Sequence, residues 1–170
     1  VEIALSDGRK VAGTLAMPAQ TPAPAVMLIH EWWGLNDQIK AVAAELAKEG
    51  YVALAVDLYG GTVATIPEEA KALTGKVEGP VASETLGAWN AWLRDQAATT
   101  VKQGAIGWCF GGGWSLNASL VAPVDATVVY YGSVGPEFGG VSRSVEALAA
   151  LKGPVLGHYA TRDGWINQDM

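Results

Sequence analysis

The sequence contains few of the residues that build disulfide frameworks, metal centres or phosphate-binding surfaces. Its 170 residues include one cysteine and two histidines, and seventeen acidic residues outnumber eleven basic ones. One cysteine excludes an intrachain disulfide and a cysteine-rich metal site, and no run of lysine or arginine offers a surface for nucleic acid. The apolar runs, such as residues 25–29, are too short to cross a bilayer. We therefore expect neither a nucleic-acid partner nor a membrane partner.

Apolar residues, in contrast, are abundant. Half of the chain is hydrophobic and 16% is charged, which predicts one globular domain over residues 1–170. No secretory signal is visible, which favours the cytoplasm, although the chain begins at Val1 and earlier processing of the N terminus stays open.

Strands and helices alternate through most of the sequence. Uninterrupted apolar runs and period-two segments predict strands at 1–5, 11–15, 25–29, 51–57, 104–108, 126–132 and 154–160. Helical periodicity, with Asn36 or Asp37 as a cap, predicts helices at 36–49, 67–77, 83–96, 112–121 and 145–151. This order predicts an α/β fold class: a mostly parallel, doubly wound sheet with helices on both faces, preceded by an N-terminal hairpin.

The lone cysteine lies in an unusual place, the segment GWCFG at residues 107–111. A predicted strand precedes it and a predicted helix follows, which is the pattern of a nucleophile elbow. Glycines two residues before and after Cys109 would leave room for its sharp turn, and the helix N-terminus would favour a thiolate. The segment is neither a dinucleotide fingerprint, which needs glycine at 109, nor a P-loop, which needs lysine after the glycines. An inert thiol in a tight structural turn stays open.

Two carboxylates are candidates to act with this thiol. Glu31 follows the strand at 25–29 in HEWWG, and the loop after that strand is expected to face the elbow and to supply an oxyanion-hole amide. Asp163, in TRDGW, follows the strand at 154–160, where the acid of a nucleophile–acid–histidine order belongs. The plainer alternatives are a solvated loop acid for Glu31 and a local turn residue for Asp163.

The motifs HEWWG, GYVALAVDLYGG, GWCFGGG, VVYYG and TRDGW occur in the order found in one family. Over essentially its whole length the chain resembles the dienelactone hydrolase (carboxymethylenebutenolidase) family of α/β-hydrolases. The resemblance implies a cysteine-dependent hydrolase of lactones or small carboxylic esters, acting through a thiol acyl-enzyme without metal or organic cofactor. By position, it implies Cys109 as nucleophile, Asp163 as triad acid, Glu31 as acceptor of the thiol hydrogen at rest, and the amides of Trp32 and Phe110 as oxyanion hole.

The sequence departs from the family pattern in its substrate region. Members that take dienelactone hold its carboxylate with arginines, whereas residues 66–80 contain Lys71 and Lys76 but no arginine. This departure argues against dienelactone itself as the substrate.

The larger departure is that the triad histidine should follow Asp163, and no histidine occurs there. His158 lies within the last predicted strand, and His30 is expected to have a hydrogen-bonded structural role. We therefore expect a C-terminally incomplete domain that lacks a helix–strand–helix, with a second chain or a further C-terminal segment against the strand at 154–160. The alternative function is a catalytically silent fragment or pseudoenzyme that acts as a binding scaffold.

Overall fold

A seven-stranded, mostly parallel sheet organises the chain in the computed structural model, which describes residues 1–166. The strands are β1 (Glu2–Ala4), β2 (Lys10–Ala16), β3 (Ala23–Ile29), β4 (Val52–Val56), β5 (Thr99–Trp108), β6 (Ala126–Tyr130), β7 (Glu137–Phe138), β8 (Val141–Ser142) and β9 (Val155–His158). The helices are α1 (Asp37–Lys48), α2 (Pro67–Thr74), α3 (Gly79–Asp95), α4 (Phe110–Val121) and α5 (Val145–Ala149). The strand order is β1-β2-β4-β3-β5-β6-β9, and β7 pairs with β8 separately. The predicted fold class is confirmed.

The sheet is antiparallel only at its N-terminal side. β1 pairs with β2 and β2 with β4 in antiparallel register, whereas β4, β3, β5, β6 and β9 run parallel. Parallel strands that have helices on both faces are apolar on both faces, and all five residues of β4 are buried. The carboxyl ends of the parallel strands therefore meet at one edge, where loops from four of them can converge.

Some predicted element bounds agree with the observed ones and others differ. α1 begins as predicted, with Asn36 accepting a hydrogen bond from the Ile39 amide at 3.1 Å. α3 begins at Gly79 rather than at 83, because Pro80 fits the first turn of a helix. β5 begins at Thr99 rather than at 104, although its first residues are polar. The two-residue strands β7 and β8 were not predicted, since so short a segment has no periodicity to detect.

The two faces of the sheet are covered unequally. The α3 and α4 side contains the larger apolar cluster, centred on Trp89, and α1 covers the opposite side over β4. Beside α1 lies an apolar groove of about 340 Å³, whose walls include Val26, Leu46, Ile106 and Val128. All four residues of β9 are exposed, and β9 is the edge of the sheet in the part of the chain that the structure describes.

None of the helices among residues 1–166 is both long enough and apolar enough to span a membrane.

Candidate active site

Cys109 occupies the sharp turn between β5 and α4. Its φ is 54° and its ψ is −117°, a left-handed conformation that is strained for any residue with a Cβ. A Cβ added to Gly107 would overlap the Gly111 carbonyl, and a Cβ added to Gly111 would overlap the carbonyls of Ile29 and His30. Glycine is therefore required on both sides of the cysteine, as the elbow pattern predicts.

Backbone hydrogen bonds fix this turn to its neighbours. The Cys109 amide donates to the Tyr130 carbonyl at 2.9 Å, and the Cys109 carbonyl accepts from the Gly112 amide at 3.0 Å. Phe110 is the first residue of α4, so its amide has no acceptor within the helix and points to the cysteine side chain instead. The structure thus places a backbone donor next to the sulfur.

The environment of the sulfur keeps its proton in place. Burial raises the pKa of the Cys109 thiol, a hydrogen bond from the Phe110 amide lowers it, and the negative charges of Glu31 and Asp163 raise it further. The net effect is a raised pKa. The helix N-terminus favours a thiolate, but burial and two carboxylates outweigh the dipole of one helix, so the thiol keeps its proton at rest.

Glu31 is half-buried in the loop after β3, and its carboxylate is held by a tyrosine. The Tyr131 hydroxyl donates to Glu31 Oε1 at 3.1 Å. Tyr131 follows β6 in a left-handed conformation, with φ 38°. Among the described residues no hydrogen bond joins Glu31 to the Cys109 sulfur, so the predicted acceptor at rest is engaged elsewhere. Its charge nevertheless acts on the thiol.

Asp163 lies in a short turn after β9. Its Oδ1 accepts hydrogen bonds from the amides of Trp165 at 2.7 Å and Ile166 at 3.0 Å. These bonds hold the pKa of the Asp163 carboxyl below its usual range. Because β9 runs parallel to β6 and β5, the turn after β9 lies at the same edge of the sheet as the elbow, and the charge of Asp163 raises the pKa of Cys109.

The predicted oxyanion-hole amides come from two loops. Trp32 lies in a turn closed by the hydrogen bond from the Gly34 amide to the Glu31 carbonyl at 3.2 Å. Within residues 1–166 no acceptor takes the Trp32 amide hydrogen. The Trp32 and Trp33 rings pack edge to face, 5.1 Å apart. Within the described residues the Trp32 amide thus keeps its hydrogen free, whereas the Phe110 amide donates to the Cys109 sulfur.

Neither histidine has a free imidazole at the thiol. Buried His30 accepts from the Leu58 amide at Nε2 (3.1 Å), and its Nδ1 lies 2.6 Å from the Glu31 carbonyl. This network assigns the proton to Nδ1 and a neutral ring, and burial lowers the pKa of His30. Exposed His158 stacks on Tyr130 with ring centroids 4.5 Å apart. The structural role expected for His30 is confirmed.

Two tyrosines at the site were not assigned from the sequence. Burial raises the pKa of Tyr59 and of Tyr131 to about 12, and ionisation of Cys109 would raise both further. Tyr59 packs against His30 and Phe110 with centroids 4.7 and 5.6 Å away. For Tyr131 the available signal was the tandem tyrosine before glycine in VVYYG, at the carboxyl end of a predicted strand, and for Tyr59 it was the position just after the predicted strand 51–57.

No group of three or more histidine, cysteine or acidic side chains within residues 1–166 is arranged to hold a metal ion. The ionisable groups whose charges would interact with that of Cys109 are two carboxylates and two phenols from four loops.

The sequence profile of the dienelactone hydrolase family matches residues 11–170. The chain belongs to the dienelactone hydrolase family. It is 33% identical to a protein of Saccharolobus solfataricus provisionally named a carboxymethylenebutenolidase, over 93% of this chain and 73% of that protein. It is 26% identical to the carboxymethylenebutenolidase of Pseudomonas putida, over 98% of this chain and 72% of that enzyme.

Solved structures of the dienelactone hydrolase type share the fold. A crystal structure from Klebsiella pneumoniae, provisionally named a dienelactone hydrolase, superposes with a TM-score of 0.83 at 27% identity. The match covers 99% of this chain and 75% of that one. The protein is therefore a hydrolase with the α/β fold of the dienelactone hydrolase family.

Proposed function

We propose that this dienelactone hydrolase family member cleaves lactones or small carboxylic esters with Cys109 as its nucleophile. The observation that carries the proposal is the strained conformation of the chain's one cysteine, with φ 54° in a turn that only glycines can flank. Strain of this kind costs of order 1–3 kcal/mol and persists where function requires the geometry. An inert core thiol has no need of it.

The reaction begins with removal of the thiol proton, which the raised pKa makes necessary. In our scheme substrate binding displaces the Glu31 carboxylate from Tyr131. The freed carboxylate then takes the proton of the Cys109 thiol. The sulfur then attacks the carbonyl carbon, and the amides of Trp32 and Phe110 stabilise the oxyanion. Collapse of the tetrahedral intermediate breaks the carbon–oxygen bond to the leaving alcohol, which takes up a proton. The acyl group stays on Cys109 as a thioester, and water then hydrolyses the thioester.

A histidine oriented by Asp163 would carry the proton to the leaving group and activate the water. The His30 ring is hydrogen-bonded to backbone on both nitrogens and the His158 ring stacks on Tyr130, so we propose that this histidine comes from outside these 170 residues. The open β9 edge, and the apolar groove beside α1, support a second chain or a further segment covering this side of the sheet.

The substrate class follows from the aromatic and charged residues around the site. Trp32, Tyr59 and Phe110 contribute aromatic surface. Residues 66–80, which include α2, contain no arginine to pair with a carboxylate on the substrate. We therefore propose an ester or lactone with an uncharged acyl group in preference to dienelactone itself.

The test is acylation of the purified chain by p-nitrophenyl acetate, followed by mass mapping. We expect a slow, stoichiometric release of nitrophenol, an acetyl group on the peptide containing Cys109, and little turnover. Cys109→Ala should abolish the acylation, and Ser115→Ala, which changes a buried hydroxyl of α4, serves as the matched control. Equal acylation in Cys109→Ala would refute the nucleophile.

A binding scaffold without catalysis is the second candidate. The observation in its favour is that both nitrogens of His30 have backbone partners and that no hydrogen bond joins His158 to the thiol among the described residues. It predicts no acylation at any pH, with retained binding of ester or lactone ligands in an equilibrium assay.

A further inference from the structure

Arg143 is a buried arginine whose hydrogen bonds are all to neutral acceptors. It follows β8 and is only 4% exposed. Nε and Nη2 donate to Asn117 Oδ1 at 3.1 and 2.9 Å, Nη2 also to the Gly113 carbonyl at 2.6 Å, and Nη1 to the Ser133 carbonyl at 2.5 Å. Within residues 1–166 no carboxylate forms an ion pair with it. A cation in this position needs a reason, because burial without an opposite charge is costly.

The acceptors belong to two segments that both contribute to the candidate active site. Gly113 and Asn117 lie on α4, the helix that begins directly after Cys109. Ser133 lies two residues after Tyr131, whose hydroxyl holds Glu31. The guanidinium therefore bridges the nucleophile helix and the turn 131–133.

The two segments touch through their backbones one residue away from the bridge. A Cβ added to Gly132 would overlap the backbone of Gly112, and a Cβ on Gly112 would lie about as close to Gly132. The Tyr159 hydroxyl donates to the Gly132 carbonyl at 3.2 Å on the same turn. Since Tyr131 is held at φ 38°, the turn needs such restraints to keep its conformation.

We propose that Arg143 is a positioning residue, which clamps the turn 131–133 to α4 and so sets the Tyr131–Glu31 hydrogen bond relative to Cys109. Arginine suits this task because its planar fork reaches three separate acceptors, which a lysine ammonium cannot match in direction. The proposal deepens the proposed function, since it concerns the same Cys109–Glu31 pair. The test of the Arg143 proposal measures titration of the thiol rather than turnover. The Arg143 proposal and the proposed function can therefore fail independently.

The experiment is the pH dependence of Cys109 alkylation by iodoacetamide, measured with the unfolding free energy for each variant. The titratable groups that face the thiol are Glu31, Tyr59, Tyr131 and Asp163. In Arg143→Lys we expect the alkylation midpoint to fall by about half to one pH unit, because a loosened turn opens the Tyr131–Glu31 hydrogen bond and lets Glu31 move away from the sulfur into water. Alkylation below the midpoint would then be about 3- to 10-fold faster.

The double variant tests whether Arg143 acts through Tyr131. In a Tyr131→Phe background, which lacks the hydroxyl, Arg143→Lys should shift the midpoint no further. A full additional shift there would overturn the proposal, and so would an unchanged midpoint with lowered stability in Arg143→Lys alone.

The matched control is Arg94→Lys. Arg94 likewise binds an asparagine oxygen, Asn90 Oδ1 at 3.0 Å, and a backbone carbonyl, that of Pro123 at 2.8 Å. It ties α3 to the loop before β6, away from the thiol, so its variant should leave the midpoint unchanged. If Arg143→Lys does not fold, Asn117→Ala decides the matter. It removes one acceptor of the clamp and should lower the midpoint in the same direction by a smaller amount, whereas no change would overturn the proposal.

Discussion

The elbow at Cys109 and the turn at Asp163 lie at the same edge of the sheet, but different interactions fix them. The elbow is enclosed by backbone from β3, β6 and α4, and leaves no room for a side chain at Gly107 or Gly111. The turn at Asp163 is held by two hydrogen bonds from its own next residues, and a Cβ at Gly164 would meet nothing within 4 Å. Cys109, the proposed nucleophile, is therefore positioned by the whole fold, and Asp163, the proposed acid, by local sequence.

This difference suggests that the nucleophile half of the site stays ordered by itself, whereas the acid half depends on what covers it. Trp165, beside Asp163, is 88% exposed, and the preceding strand β9 is exposed throughout. Variants in the two regions should consequently have effects of very different size.

The largest effect is expected for Gly111→Ala. The new methyl group would overlap the carbonyls of Ile29 and His30, which are backbone atoms of a buried strand end and cannot move aside. We expect a loss of at least about 3 kcal/mol of unfolding free energy, or no folded protein. Denaturant unfolding followed by circular dichroism measures it. Gly164→Ala is the control and should be close to neutral; equal losses in both variants would remove the contrast between the regions.

Glu31→Gln should slow acylation of Cys109 by p-nitrophenyl acetate about 100-fold, the usual scale for loss of a proton acceptor. The same variant should lower the pKa of Cys109, because one of the negative charges that raise it is gone. Stopped-flow release of nitrophenol and the pH profile of alkylation measure the two effects. A lower alkylation midpoint together with faster acylation would mean that Glu31 disfavours the thiolate and does not accept its proton during acylation.

His30→Phe should cost about 1–3 kcal/mol, since the Leu58 amide and the Glu31 carbonyl both lose a buried partner. The pH dependence gives an independent check. The pKa of His30 is lowered in the folded chain, so its contribution is complete above the unfolded value of about 6.5 and declines as the pH falls below it. Urea unfolding between pH 7 and pH 5 should show this decline in the wild type and a flatter profile in His30→Phe.

The smallest effect is expected for Asp163→Asn. Asparagine keeps the Oδ1 acceptor for the amides of Trp165 and Ile166, so the turn and the stability should be unchanged. Loss of the charge should lower the pKa of Cys109, by less than Glu31→Gln does because Asp163 is the weaker of the two influences. A midpoint shift larger than that of Glu31→Gln would show that the turn at Asp163, and not the loop after β3, has the larger effect on the pKa of Cys109.

How far the sequence alone could anticipate the site depends on how local each feature is. The elbow was predictable because the spacing of Gly107, Cys109 and Gly111 carries its own steric reason. The cap at Asn36 was predictable for the same kind of reason. The Tyr131–Glu31 contact joins residues one hundred positions apart, so no local pattern reveals it.

The clamp at Arg143 and the protonation of the thiol were likewise beyond sequence reasoning. Arg143 lies in a segment with two-residue strands, and its burial results from how that segment folds back onto α4. The raised pKa of Cys109 depends on burial and on carboxylates that arrive from two other loops. A helix N-terminus read from the sequence gives only one of these influences, and here it is not the largest.

The protonated state of the resting thiol also bears on how the protein withstands oxidants. Peroxide reacts with thiolates far faster than with thiols, and successive oxidation ends in sulfinic and sulfonic acids that cannot attack a carbonyl. Burial and the charges of Glu31 and Asp163 keep Cys109, the chain's only cysteine, as the less reactive protonated thiol until a substrate changes this environment. In the proposed mechanism, the environment that delays attack on the substrate therefore also preserves Cys109 between encounters with substrate.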